Sequence, residues 1–82
     1  MTITVYSKPA CVACDATYRK LDKHGIEYKS VNIMEALAFV RGLDPSYAQA
    51  PVVLVEFADG TSAHWSGYSP DRLEKIATAA AA

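Results

Sequence analysis

Apolar and polar positions fall into seven short stretches of two kinds along the chain. Thr2 to Tyr6 alternates Thr-Ile-Thr-Val-Tyr, the period of a strand with one face inward. Ser7 to Ala10 breaks the alternation, and Pro9 cannot sit in a central ladder. From Cys11 to His24 the period changes to that of a helix. Ala13, Thr17 and Leu21 recur four apart as a buried stripe, with Ala16 and Lys20 beside it. Asp15 in the first turns and Lys20, Lys23 and His24 in the last complement the helix dipole, and Gly25 is a natural stop.

Ile26 to Ile33 reads as a second strand on Tyr28 and Val31, and Glu35 to Leu43 as a helix on Leu37, Val40 and Leu43, with Gly42 weakening its last turn. Asp44 to Ala50 is a loop marked by Asp-Pro-Ser. Val52 to Phe57 is apolar except at Glu56, which predicts a strand covered on both faces. Asp59-Gly60 is a strong hairpin signal and joins it to Thr61 to Trp65. A last helix starts with Ser69 as cap and Pro70 as first residue, and buries Leu73, Ile76 and Ala77. Nothing anchors the tail, about Ala79 to Ala82, so fraying is expected there.

The predicted order is β-α-β-α-β-β-α: an α/β fold with a four-stranded mixed sheet flanked by three helices. The first two strands should be parallel, with a right-handed crossover, and the last two form a hairpin. Eighty-two residues allow one domain, 1–82, without repeats or linkers. A chain 51% apolar and 21% charged is not disordered. A net charge of −1 makes no electrostatic case for nucleic acid or an anionic membrane. The longest apolar run, Ala50 to Val55, is far short of the roughly 20 residues that span a bilayer. No basic cluster precedes an apolar stretch at the N-terminus, so a cytoplasmic chain is expected. No Gly-x-Gly-x-x-Gly run offers a nicotinamide or flavin site, and no cofactor is expected.

The chemistry lies at Cys11 and Cys14, the only cysteines. In a reducing compartment a Cys-x-x-Cys pair is a redox couple or half of a metal site. Residues three apart on a helix are neighbours, so the pair can close without moving the fold. At a helix start, unpaired N–H groups face Cys11 and favour its thiolate, the reactive form. Cys11 is then the attacking thiol and Cys14, one turn in and more buried, the resolving one. Lys8, three residues upstream, adds positive potential. Zinc needs four ligands; the cysteines supply two, and His24 and His64 are not at a metal-like spacing. Copper carriers hold a Cys-x-x-Cys between strand and helix, but with methionine where Pro9 stands and with another strand order. A structural disulfide of this span would constrain almost nothing.

Three segments carry a resemblance that covers nearly the whole chain. Tyr6-Ser7-Lys8-Pro9-Ala10-Cys11-Val12-Ala13-Cys14 resembles the active-site run of the glutaredoxin-like NrdH-redoxins, a branch of the thioredoxin superfamily. Gln49-Ala50-Pro51-Val52-Val53 is similar to that family's segment around its cis-proline. Trp65-Ser66-Gly67-Tyr68-Ser69-Pro70-Asp71 is similar to its Trp-Ser-Gly-Phe-Arg-Pro signature. Two departures stand out: Val12-Ala13 between the cysteines, commonly Val-Gln, and Ser69 in place of the arginine. The resemblance implies a thioredoxin/glutaredoxin fold and a monomeric electron carrier. Its implied partners are thioredoxin reductase as donor and class Ib ribonucleotide reductase as acceptor.

It also implies a cis Ala50–Pro51 bond with the Ala50 backbone open to a partner; a trans proline opening a strand is the alternative. The partner surface implied around Cys11 comprises Lys8, Val12, Ala13, Ala50, Pro51, Trp65, Ser66, Gly67 and Tyr68. Trp65 has two open placements, on an apolar surface beside Cys11 with Tyr68, or in the core. His64 is expected to be solvated on the edge hairpin. The rivals are a glutathione-dependent glutaredoxin and a metal-binding module. Glutaredoxins commonly carry Pro-Tyr between the cysteines and a Gly-Gly-x-Asp-Asp run for the glutathione amino group; Ser69 and Pro70 stand at that pair of acids here.

Overall fold

The computed structural model describes residues 1–81. The elements are β1 (Thr2–Ser7), α1 (Val12–Lys23), β2 (Lys29–Asn32), a 3₁₀ turn (Ile33–Glu35), α2 (Leu37–Leu43), β3 (Val52–Glu56), β4 (Ser62–Ser66) and α3 (Pro70–Ala81). This is the β-α-β-α-β-β-α order expected. The four-stranded sheet runs β2-β1-β3-β4, with β1 parallel to β2 and antiparallel to β3, and β3 antiparallel to β4.

Alternation along the central strands divides the core in two. Ile3 and Val5 of β1, Val53 and Val55 of β3 and Trp65 of β4 point to one side, against Leu21 of α1 and Leu73 and Ile76 of α3. Tyr6, Val52 and Leu54 point to the other side and pack with Val40 of α2. The strand covered on both faces is therefore β3, whose Val52, Val53, Leu54 and Val55 are all buried.

Four local differences from the expected elements have local causes. Helix α1 begins at Val12 with Cys11 as its cap, and its buried stripe is Cys14, Thr17 and Leu21, with Ala13 only half-buried. Thr17 satisfies its buried hydroxyl by donating to the Ala13 carbonyl at 2.9 Å. Strand β2 is shorter than Ile26–Ile33 because Ile26 closes α1: Gly25, at φ +65, donates to Asp22 O, and Ile26 N–H to Leu21 O, each at 3.0 Å. At the other end, Asn32 Oδ1 accepts from Met34 N–H at 2.9 Å, so Ile33–Glu35 becomes a 3₁₀ turn and α2 starts two residues late. The alanine tail is helical as far as Ala81, consistent with alanine's helix propensity; Ala82 lies outside the described residues.

Candidate active site

The site sits where β1 runs into α1. Beyond Ser7 the chain crosses Lys8, Pro9 and Ala10, all exposed, before Cys11. Pro9 fixes one dihedral, and Ala10 adopts φ +54, the left-handed region. Cys11 has extended φ and ψ and caps α1 with its own sulfur: the Cys14 N–H donates to Cys11 Sγ at 3.1 Å. A sulfur so placed receives one of the orphan amides of a helix start, which favours negative charge on it. Cys11 and Cys14 are joined as a disulfide, with Cα atoms 5.2 Å apart. Cys11 retains 7% exposure and Cys14 1%, so Cys11 is the more accessible residue of the pair.

The opposite wall is the segment before β3. The Ala50–Pro51 peptide is cis, and the Ala50 carbonyl oxygen lies 3.7 Å from Cys11 Sγ. The turn after β4 clamps this segment. Gly67 N–H donates to Pro51 O and Ser66 Oγ to Gln49 O, both at 2.7 Å. Gly67 sits at φ +86, a conformation open to glycine at no steric cost.

The structure distributes the expected surface unevenly. Val12 is 81% exposed and Tyr68 42%, and both offer apolar area. Lys8 is exposed, Ala13 and Ala50 are half-buried, and Ser66 and Gly67 are engaged with the proline segment. Pro51 and Trp65 lie inside, and Trp65 takes the core placement of the two left open. Pro51 is fully buried, and Trp65, 5% exposed, belongs to the core beneath α1 and α3. Strand alternation explains it: Trp65 pairs with Val53, so both face the α1–α3 side. Arg72 lies over the Trp65 ring, 5.6 Å from its centroid. His64 is corrected. It is half-buried, and its Nδ1 is 2.7 Å from the Tyr47 hydroxyl.

Two contributors escaped the sequence reading. The Gln49 carbonyl anchors Ser66, a backbone role without a sequence signal. Tyr18 places its hydroxyl 2.5 Å from Ser7 Oγ and 2.7 Å from Ser30 Oγ. A signal for it existed: Tyr18 is seven residues, two turns, from Cys11 and so on the same side of α1.

Comparison with known proteins agrees with this geometry. Residues 3–56 match the glutaredoxin family. The glutaredoxin-like protein NrdH of Salmonella typhimurium is 32% identical over 79 residues, 93% of this chain and 89% of that protein. Its namesake in Lactococcus lactis subsp. cremoris is 34% identical over 77 residues, 92% and 99% of the two chains. Among solved structures, the NrdH-redoxin of Escherichia coli, described for a thioredoxin-like activity profile, superposes with a TM-score of 0.74 at 28% identity, covering 93% of this chain and 95% of that one. The Archaeoglobus fulgidus glutaredoxin shares the fold, at a TM-score of 0.71 and 22% identity over 90% and 83% of the chains. The chain thus belongs to the glutaredoxin family, among its NrdH-like members, with Cys11 and Cys14 as the redox pair.

Proposed function

We propose that the protein is a cytoplasmic, monomeric dithiol–disulfide electron carrier that takes electrons from NADPH through thioredoxin reductase. Its proposed acceptor is the disulfide of a class Ib ribonucleotide reductase. The observation that carries the dithiol chemistry is the Cys11 sulfur at the head of α1, accepting the Cys14 amide at 3.1 Å, with Cys14 packed beneath it.

In the reduced protein the Cys11 thiolate attacks one sulfur of the acceptor disulfide. An S–S bond forms between Cys11 and the acceptor, and the other acceptor sulfur leaves as a thiolate and takes a proton. Cys14 loses its proton and attacks Cys11 Sγ, releasing the second acceptor sulfur as a thiol. Two electrons have moved, and the Cys11–Cys14 disulfide remains. The reductase returns it to the dithiol by the reverse exchange.

Support for thioredoxin reductase over glutathione comes from the turn that leads into α3. Ser69 and Pro70 occupy the positions of the usual acid pair, and the only acid in the first turn is Asp71. Each charge-assisted hydrogen bond lost there costs about 1.5–3 kcal/mol, roughly ten- to a hundredfold in affinity. A protein donor instead requires accessible surface near the sulfur; in support, Val12, the residue after Cys11, is 81% exposed, and Tyr68, which follows the Gly67 bonded to the proline segment, is 42% exposed. The test compares reduction of the disulfide by NADPH with thioredoxin reductase from the same organism against millimolar glutathione with glutathione reductase. Faster reduction through thioredoxin reductase is expected; a faster glutathione arm makes the protein a glutathione-dependent glutaredoxin.

A further inference from the structure

We propose that Tyr18 is a positioning residue of the redox centre: through Ser7 it holds the loop that carries Cys11 against the helix that carries Cys14. The proposal rests on the reading of Cys11 as the attacking thiol.

The Tyr18 ring is half-buried on α1 and stacks on Tyr28, with centroids 5.3 Å apart and planes 15° from parallel. Tyr28 donates in turn to Asp22 Oδ1 at 3.2 Å, which ties the stack back to α1. The stack aims the Tyr18 hydroxyl at two neighbouring strands. It meets Ser7 Oγ, on the last residue of β1, at 2.5 Å and Ser30 Oγ, on β2, at 2.7 Å. Ser30 pairs with Val5, two residues before Ser7, so one hydroxyl spans both strands at the edge from which the redox loop departs.

The Tyr18–Ser7 bond closes a ring of chain that contains Lys8, Pro9, Ala10, Cys11 and Cys14. Pro9 and the left-handed Ala10 leave the loop little internal freedom. The freedom that remains is tilt of α1 against the end of β1. Cys11 is the cap residue: its carbonyl accepts the Asp15 N–H of α1 at 3.1 Å, while its Cα and sulfur continue the loop, and the amide that the sulfur accepts belongs to Cys14 inside the helix. A tilt therefore changes the angle and length of the 3.1 Å contact on the sulfur. It also moves Cys11 Sγ relative to Ala50 O, which is held by the sheet and the Gly67 clamp rather than by α1. Tyr18 opposes this tilt from two turns away without touching either sulfur.

The readout is the pH profile of Cys11 alkylation by iodoacetamide in the fully reduced protein, with the modified site located by mass spectrometry. The ionisable side chains on segments flanking Cys11 are those of Tyr6, Lys8, Cys14, Asp15 and Tyr68, and Tyr18→Phe leaves all of them in place. This substitution keeps the ring stack and deletes the hydroxyl. Cys11 alkylation should slow about threefold near neutral pH, where the thiolate fraction limits the rate, and converge with the parent in alkali, where both are fully thiolate. Ser7→Ala should reproduce the shift, and it carries the test if Tyr18→Phe does not fold. An unchanged profile in folded Tyr18→Phe or in Ser7→Ala, whatever the fall in melting temperature, overturns the proposal and leaves Tyr18 a structural residue. A parent protein in which Cys14 is alkylated faster overturns the assignment of Cys11 itself and is recognised before any variant is compared.

Discussion

Trp65 offers the sharpest test of how this site is built, because a core residue and a docking residue respond oppositely to truncation. It is 5% exposed and lies among Ile3, Val5, Val53, Leu73 and Ile76. Truncating a buried tryptophan to alanine costs about 3–5 kcal/mol. At roughly 0.05–0.15 kcal/mol per residue, a chain of this length has about 4–12 kcal/mol in total. Trp65→Ala should therefore be marginally folded, and the melting temperature should fall by roughly 4–8 °C for each kcal/mol lost.

Trp65→Phe separates shape from polarity. It forfeits part of the buried area but also removes Nε1, a buried donor with no hydrogen-bond partner among the described residues. An unmade hydrogen bond of this kind costs about 1–3 kcal/mol, so the two changes oppose each other and the phenylalanine variant should lie within about 1 kcal/mol of the parent. The assay is urea unfolding of the oxidised proteins, followed by far-ultraviolet circular dichroism because the only tryptophan is lost. The same proteins are then compared as substrates of thioredoxin reductase, where Trp65→Phe should react at nearly the parental rate. If Trp65→Ala unfolds at the parental midpoint while Trp65→Phe loses tenfold in reduction rate, the core assignment is wrong and Trp65 faces the partner.

Three further outcomes follow from the same geometry. Cys14→Ser should trap a mixed disulfide between Cys11 and an acceptor, whereas Cys11→Ser should trap little; equal trapping on denaturing gels would cancel the order of attack read from their unequal burial. Glu74 accepts a hydrogen bond from Lys20 and lies 3.5 Å from His24 Nε2, and the Lys20 bond holds its carboxyl below the usual range. A carboxyl depressed in the folded state contributes stability above its unfolded pKa and loses it as pH falls through the folded value. Melting curves of the parent and Glu74→Gln should thus differ at neutral pH and converge in acid, and a constant gap would show that the bridge is not responsible. Elemental analysis of the reduced protein should find no stoichiometric zinc or copper, since Cys11 and Cys14 are joined by no third metal-ligating side chain among the described residues; one metal per chain or per two chains would favour the metal-binding reading.

How much was legible in advance follows from how far each interaction reaches along the chain. The spacing of Cys11 and Cys14, the Asp59-Gly60 hairpin and the apolar run of β3 are local patterns, and the antiparallel β3–β4 pair with β3 buried matches what the last two imply. Ile26 shows where local pattern misleads. As a β-branched residue it scores as strand, yet after Gly25 it packs back on Leu21 to finish α1, a use that costs β2 its first residues. The redox end depended on longer range still. The signature Trp65-Ser66-Gly67 was recognisable as a unit, but its members divide the work: Trp65 turns inward with Val53, while Ser66 and Gly67 bind the proline segment.

That division bears on what a partner meets. Pro51 and Trp65 are held inside, so their sequence neighbours can form the wall opposite Cys11 from backbone groups rather than from side chains. The accessible apolar area then comes from Val12, the residue immediately after the attacking sulfur, and Tyr68, on the turn that clamps the wall. Backbone and small or single apolar side chains carry little sequence specificity of their own. A carrier of the proposed kind, facing a reductase and then an acceptor at the same sulfur, needs such a surface, because discrimination built for one partner would count against the other. The rigidity this requires comes from behind the surface. The Gly67–Pro51 and Ser66–Gln49 bonds hold one wall, and the Tyr18–Ser7–Ser30 contacts brace the loop and helix of the other.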